Sequence, residues 1–408
     1  MAAGAVLWQT DRVEPLVRDL VRFELARLRP GGGVANPAAC AGRSSAPESD
    51  PDCEVEATPA DSLELLTLAT SVSRYFHIHE TGLDDLLLAR RSSADWAETI
   101  VRSRSAWDEA VTFSTSGSTG DPKTCTHGMA DLRKEVGFLA ELFAGRRRIV
   151  GVQPVHHIYG FLFTFMLPAA LAVPVVDHRR HGPASLFRRA APGDLIVAHP
   201  KYLELATSLP VIVPEDVTVV TSTSPSDRSL WERLAGAGVA RIVEIYGSSE
   251  TAGVAWRQSP DRPFELMPHW SRAGDDRIAR RDSPDRPRPI QDRVRWSGDR
   301  TFHVGDRIDG AVQVGGINVF PGRVRDLLLQ HPAVSDAAVR LMRRDEGSRL
   351  KTFVVLRGNV AGSPALADEL TNWLEARLDP LEVPRSYRFG SAVPVTEAGK
   401  PADWSVAA

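Results

Sequence analysis

Cysteine is scarce in this chain, three in 408 residues, and Cys40, Cys53 and Cys125 stand at no metal-type spacing from one another. That argues against a structural zinc and a disulfide framework, and it fits a reduced, cytoplasmic setting. An excess of one charge is also missing: 49 Lys and Arg against 52 Asp and Glu give a net charge of -3 and a pI near 6.4. No nucleic-acid partner is expected from such a balance. The basic, Asp-punctuated stretch from Arg277 to Arg295 reads as a solvated loop. Long apolar runs are lacking too, since the longest, Gly160 to Val176, is broken by Pro168 and Pro174, and the apolar first ten residues have no basic leader. No membrane insertion is expected. No internal repeat is visible.

What is present is an ordinary globular composition, 43% hydrophobic and 25% charged, in a chain long enough for two or three domains. Val13 to Leu28 carries apolar residues at helical spacing, and Gly82 to Arg90 reads as a further helix. Residues 29–60 shift to Gly, Pro, Ala and Ser, the texture of a loop or linker. Asp61-Ser62 then occupies a helix-cap position ahead of Leu63, Leu65, Leu66, Leu68, Ala69 and Val72. Beyond Trp107 short apolar strands alternate with helices: Ala110 to Phe113, Arg148 to Gln153, Val173 to Val176, Asp194 to Ala198, Val217 to Thr221 and Arg241 to Tyr246. This alternation predicts an α/β domain. A last compact unit begins near Asp309, with a strand-helix pattern through Leu378.

Thr115-Ser116-Gly117-Ser118-Thr119-Gly120-Asp121-Pro122-Lys123 follows the predicted strand Ala110 to Phe113. Small residues let backbone N–H groups approach an anion, hydroxyls add hydrogen bonds and the lysine adds charge, so the loop suits phosphate. It is not a Walker A loop, because Pro122 rather than Gly precedes Lys123.

The loop resembles the phosphate-binding signature of the adenylate-forming superfamily. Further motifs of that superfamily appear in order. Gln153-Pro154-Val155-His156-His157-Ile158-Tyr159-Gly160 is similar to the motif beside the acid pocket, and Tyr246-Gly247-Ser248-Ser249-Glu250-Thr251 to the central motif. Pro394-Val395-Thr396-Glu397-Ala398-Gly399-Lys400 is similar to the C-terminal lysine motif. The resemblance implies an α/β fold with a large adenylating domain built on a parallel sheet and a small mobile α+β C-terminal domain. It implies ATP and Mg2+ as cofactors, Thr115 to Gly120 and Lys123 on the phosphates, Tyr246 and Gly247 at the nucleotide, Glu250 on magnesium and Thr251 on the α-phosphate. His157 would stand beside the acid, Lys400 would bridge carboxylate and α-phosphate, and Asp309 would be the hinge. For the ribose, spacing relative to Arg307 favours Asp292 over Asp299, although Ser297-Gly298-Asp299 looks closer to the usual motif; Arg307 itself follows Asp306 where glycine is usual. Gly315-Gly316 would flank the path of a pantetheine arm.

The leading region is shorter than that of typical members, and Asp61-Ser62-Leu63 resembles the attachment site of an acyl carrier protein. Ser62 is thus either a 4'-phosphopantetheine site or part of a helix cap. The expected organisation is a helical carrier-like domain over 1–105, a truncated adenylating domain over 108–308 and a C-terminal domain over 309–408. The expected activity is ATP-dependent conversion of an aryl or fatty acid to acyl-AMP with pyrophosphate release. Transfer to the thiol of an acyl carrier protein follows, as in fatty-acyl or aryl-polyene biosynthesis. The alternatives are an acyl-CoA or aryl-CoA ligase with CoA as partner, and a non-catalytic binding protein of the same fold.

Overall fold

The computed structural model describes residues 7–29, 60–115, 123–315, 317–343, 345–358, 361–394 and 402–406. Lys400, the loop from Ser116 to Pro122, Gly316, Cys40 and Cys53 lie outside them.

Among the described residues four α-helices lead: α1 (Thr10–Leu28), α2 (Ser62–Phe76), α3 (Asp85–Ala89) and α4 (Ser93–Ala106). The apolar face expected on α1 is buried, with Val13, Leu16 and Val17 fully so. The cap of α2 is Asp61 rather than Ser62. Its carboxylate accepts from the N–H groups of Leu63 at 2.8 Å and Glu64 at 2.9 Å, and Glu64 reaches back to the Asp61 N–H at 2.9 Å, a reciprocal capping box. Ser62 is exposed. Sequence periodicity does not reveal α4, because its buried face mixes Trp96 and Ile100 with Thr99, Ser103 and Arg104. The buried Arg104 guanidinium donates to the carbonyls of Phe76 at 3.2 Å and Ala110 at 2.6 Å and pairs with Asp108.

These helices were expected to form a separate carrier-like domain, and the packing differs. The described residues up to Thr115 form one compact unit with Thr124–Pro289 and Arg295–His303; a second unit holds Lys123, Ile290–Val294 and the described residues from Val304 onward. Trp8 packs on Phe161 and Phe165 with centroids 6.4 and 5.3 Å apart, and Arg12 donates to the Phe165 carbonyl at 2.5 Å. These contacts tie the leading helices to the segment Phe161–Met166 within that unit.

In the first unit β1 (Ala110–Thr115) pairs with β2 (Lys123–Gly128), and α5 (Met129–Leu142) follows. β3 (Arg148–Gly151), β4 (Val175–Asp177), β5 (Asp194–Ala198), β6 (Thr218–Thr221), β7 (Arg241–Ser248), β8 (Ala252–Arg257) and β9 (Phe264–Leu266) enter one sheet. Its order is β4-β3-β5-β6-β7-β8-β9, parallel as far as β7 and antiparallel from β8, so the sheet is mixed rather than parallel throughout. The α/β class expected from the alternation is the class observed. Near-continuous apolar strands such as Asp194–Ala198, buried at every position, suit a sheet covered on both faces.

The basic stretch from Arg277 is not a loop. β10 (Trp270–Arg272), β11 (Arg277–Arg280) and β12 (Ser283–Pro289) form an antiparallel sheet, β13 (Asp292–Trp296) follows, and β14 (Thr301–Arg307) joins the large sheet by pairing Thr301 and Phe302 with β9. Arg280, only 3% exposed, lies on the Trp270 ring with its guanidinium carbon 4.1 Å from the centroid, an inward cation that composition alone does not signal.

The second unit contains β15 (Val312–Val314), β16 (Ile317–Val319), a helix at Pro321–Leu329, β17 (Val334–Leu341), β18 (Leu350–Leu356), a helix at Pro364–Glu375 and β19 (Ser386–Gly390). Val324, Leu328, Val354, Leu370 and Leu374 form its core. Lys351 is fully buried and donates to Glu346 at 2.6 Å and the Trp404 carbonyl at 2.5 Å.

Candidate active site

The central motif leaves the sheet where its direction of pairing changes, since β7 pairs parallel with β6 and antiparallel with β8. The carboxyl ends of the parallel strands are where open α/β sheets hold ligands, and β7 is one of these strands. Tyr246 packs its ring against Phe264 and Phe302, at 5.7 and 5.5 Å. A Cβ at Gly247 would sit 2.1 Å from the Ala252 carbonyl oxygen, so glycine is required there. Thr251 is 3% exposed; its hydroxyl accepts from the Ser248 N–H at 3.2 Å and donates to the Ala252 carbonyl at 3.1 Å, closing the turn. Glu250 stands half-exposed at the tip, and its carbonyl accepts from Arg288 at 3.4 Å. Its carboxylate is a hard oxygen donor of the kind magnesium takes.

His127, which sequence reasoning missed, braces this turn. It lies on β2, four residues after Lys123, and its Nε2–H donates to the Ser249 carbonyl at 2.7 Å. Burial pushes its pKa down to about 4, so the ring is neutral at physiological pH. The only signal in the sequence was its inward parity on a short strand.

A buried carboxyl lies behind the same turn. Glu135 of α5 accepts from the Gly253 N–H at 2.9 Å, and the Trp270 indole N–H donates to the Gly253 carbonyl at 2.8 Å, so both peptide groups of Gly253 are held. Burial pushes Glu135 up to about 8 against the opposing pull of Arg280 and the Gly253 N–H. A carboxyl raised in the folded state binds a proton that the unfolded chain releases. Its stabilising contribution is therefore full below about 4.5, the ordinary value, and lost as pH rises through about 8. The melting temperature of the wild type is expected to fall between about pH 5 and 8, and that of Glu135→Gln to fall less; thermal melts across that range check it.

The predicted acid-side motif is anchored from α1. Asp19 accepts from the N–H groups of Val155 at 2.7 Å and His156 at 3.2 Å and bonds His156 Nδ1 at 2.7 Å, while also pairing with Arg179. Burial would raise the Asp19 pKa, but His156 and Arg179 carry it well below the usual carboxylate range. His157 follows with its ring edge-on to Phe23 at 5.5 Å, and burial pushes it down to about 3, leaving a neutral imidazole. Gly160 lies under the Pro154 carbonyl, 1.9 Å from where a Cβ would be. Tyr159 donates its hydroxyl to the Val220 carbonyl at 3.2 Å. Phe161–Met166 then forms a π-helical segment.

In the second unit, Arg307 and Asp309 are one bidentate pair, Nε to Oδ1 at 2.8 Å and Nη2 to Oδ2 at 2.5 Å. The Arg307 hydrogen bond holds Asp309 below the usual carboxylate range, and the Lys123 charge adds to this. Asp292 opens β13 half-buried, whereas Asp299 is exposed in the turn between β13 and β14. Gly315 adopts φ 61°. The structure thus brings together Tyr246, Gly247, Glu250 and Thr251 in one unit and pairs Arg307 with Asp309 in the other; Thr115 ends β1 and Lys123 opens β2.

A sheet with this change of pairing direction, a braced central turn and the ordered motifs together define the adenylate-forming class. Residues 49–323 match the AMP-binding enzyme family and residues 324–400 its C-terminal domain, and the chain belongs to that family. It is 37% identical over 87% of its length to a protein named 4-coumarate–CoA ligase from Rhodobacter capsulatus, with 92% of that protein covered. It is also 35% identical over 96% of its length to one of the same name from Halorhodospira halophila, with 98% of that protein covered. Among solved structures, o-succinylbenzoate CoA synthetase from Bacillus subtilis matches with a TM-score of 0.59 at 20% identity, covering 72% of this chain and 68% of that one, a likeness of fold. The chain is an enzyme, an acid–thiol ligase in class, and among the described residues no helix is long and apolar enough to cross a membrane.

Proposed function

We propose that this protein is an aryl-acid–CoA ligase acting on a 4-hydroxycinnamic acid. The carrying observation is the likeness, at 35 to 37% identity and over most of both chains, to two proteins named 4-coumarate–CoA ligase. In the first half-reaction a carboxylate oxygen attacks the α-phosphorus of ATP, the bond to pyrophosphate breaks and acyl-AMP forms. In the second, the CoA thiolate attacks the acyl carbon and AMP leaves.

In this reading the Thr115 to Gly120 loop and Lys123 hold the phosphates, and Glu250 holds magnesium, which would screen phosphate charge. Thr251 shapes the central turn, and its contact with the α-phosphate requires the hydroxyl to rotate away from Ser248. Tyr246 and Gly247 bound the nucleotide, Asp292 takes the ribose hydroxyls, and Arg307 acts from its pair with Asp309, the hinge of the C-terminal domain 309–408. His157 is suited to the acid side because a neutral, partly apolar ring borders an aryl group without placing a second charge there. Lys400 bridges carboxylate and α-phosphate.

The test is acid-dependent ATP–pyrophosphate exchange followed by thioester formation with free CoA, over 4-hydroxycinnamic, benzoic and straight-chain fatty acids. Exchange and thioester with the hydroxycinnamic acid are expected; exchange with fatty acids alone, or acyl-AMP that free CoA does not discharge, overturns the reading. Carrier-type transfer through Ser62 has its own measurement, intact mass after treatment with a phosphopantetheinyl transferase and CoA. With free CoA as the acceptor, no added mass is expected.

Asp292→Ala is expected to weaken ATP binding by about 1.5–3 kcal/mol, the worth of hydrogen bonds to a charged acceptor, and Asp299→Ala to change it little. The apparent KM for ATP checks this. A rise with Asp299→Ala alone would move the ribose assignment to the turn.

A further inference from the structure

Across the end of α2 the chain reads His77-Ile78-His79-Glu80. His77 is the C-cap of α2 with φ 57°, a left-handed conformation, and Ile78–Thr81 then turns as a 3-10 helix. That turn swings His79 and Glu80 back toward His77. One ligand atom from each of the three residues lies within 4.8 Å of the others. The His77 and His79 rings are 5.3 Å apart between centroids, and His79 Nε2 is 3.5 Å from Glu80 Oε1.

We propose that His77, His79 and Glu80 form a binding site for a divalent transition-metal ion such as zinc. Two imidazoles and one carboxylate are a donor set that zinc takes, with water in the fourth position. The surroundings of His77 match what a metal-bound histidine needs. Its Nε2 is 2.8 Å from Thr112 Oγ1, and Thr112 is 2.7 Å from Thr126 Oγ1, so one nitrogen is fixed by a hydroxyl relay and Nδ1 is left to coordinate. The ring is stacked on Trp107 at 5.1 Å, which holds its plane. His77 is thus the preset ligand, while His79 and Glu80 are exposed and free to close the last ångström or two by side-chain rotation.

The site is separate in chemistry from the magnesium position assigned to Glu250: magnesium favours oxygen donors, zinc and cobalt favour imidazole. Titration of the full chain with zinc, in millimolar magnesium, should show one site by calorimetry. Cobalt in place of zinc should give visible absorption bands, and copper should quench the indole emission contributed by Trp107. His79→Ala and Glu80→Gln, both at exposed positions, should each weaken zinc binding about 10-fold or more. His181→Ala, altering the His178–His181 ring pair, should leave it unchanged. No single-site zinc binding, equal binding by the wild type and both variants, or loss with His181→Ala overturns the proposal. Circular dichroism confirms that each variant is folded before its titration counts.

Discussion

Lys400→Ala is expected to slow acid-dependent ATP–pyrophosphate exchange by about 10²- to 10³-fold while leaving thiol transfer from supplied acyl-AMP nearly unchanged. A positioned point charge aimed at charge developing in the transition state is worth that much in a water-poor site, and its contribution is confined to the step in which the charge develops. A lysine is suited to this task, as a compact ammonium on a long stem reaches two oxygens at once. Lys400 itself lies outside the described residues, and the described residues nearest to it, Pro394 and Ala402 to Trp404, are held without it. The Ala402 N–H donates to the Pro394 carbonyl at 2.8 Å, and buried Lys351 holds the Trp404 carbonyl and lies 2.9 Å from Asp403. A melting temperature measured alongside separates loss of this role from loss of folding. Equal loss in both half-reactions, or an unaffected exchange, would remove Lys400 from its assigned role.

The parts of this molecule that could be read from sequence are those whose signal is local. Strand β5 falls on Asp194–Ala198 as its apolar run predicts, and the central motif stands at the end of β7 because Gly247 admits only one backbone approach. What could not be read depends on partners far away in the chain. Helix α4 hides because Arg104, Ser103 and Thr99 face inward, and Arg104 is acceptable there only because carbonyls of Phe76 and Ala110 come to meet it. The basic stretch from Arg277 reads as a loop because charge argues for solvent, yet Arg280 lies on the Trp270 ring and β11 pairs on both sides. His127, Glu135 and Asp19 carry no motif at all. Each matters through contacts across more than a hundred residues: His127 to Ser249, Glu135 to Gly253, and Asp19 to Val155, His156 and Arg179. The carrier-like reading of the leading helices shows the same limit from the other side, since a capping box looks alike in any helix, whichever core the helix joins.

Asp19→Ala is expected to destabilise the fold by about 1–3 kcal/mol, the usual cost of leaving buried donors without their acceptor, because Arg179 keeps its pair with Asp177. The consequence is more than a lost pair. A single carboxylate oxygen, Oδ2, meets two backbone N–H groups and His156 Nδ1, and His156 Nε2 is already a buried atom without a partner, so the substitution would strand the ring at both nitrogens. Asp19→Asn keeps the shape and one acceptor and should cost less. The pH dependence has a definite sign. The folded-state pKa of Asp19 lies below that of the unfolded chain, so its contribution is present above the ordinary carboxylate value of 3.8 and is lost as pH falls toward the depressed one. Acid unfolding of the wild type should thus be steeper than that of Asp19→Asn below about pH 4. Because Val155 and His156 lead directly into His157 and Tyr159, the loosened turn should also raise the KM for the acid more than the KM for ATP in the Asn variant at neutral pH. An equal change in both constants, or a melting temperature within a degree or two of wild type for Asp19→Ala, would show that α1 does not brace this turn.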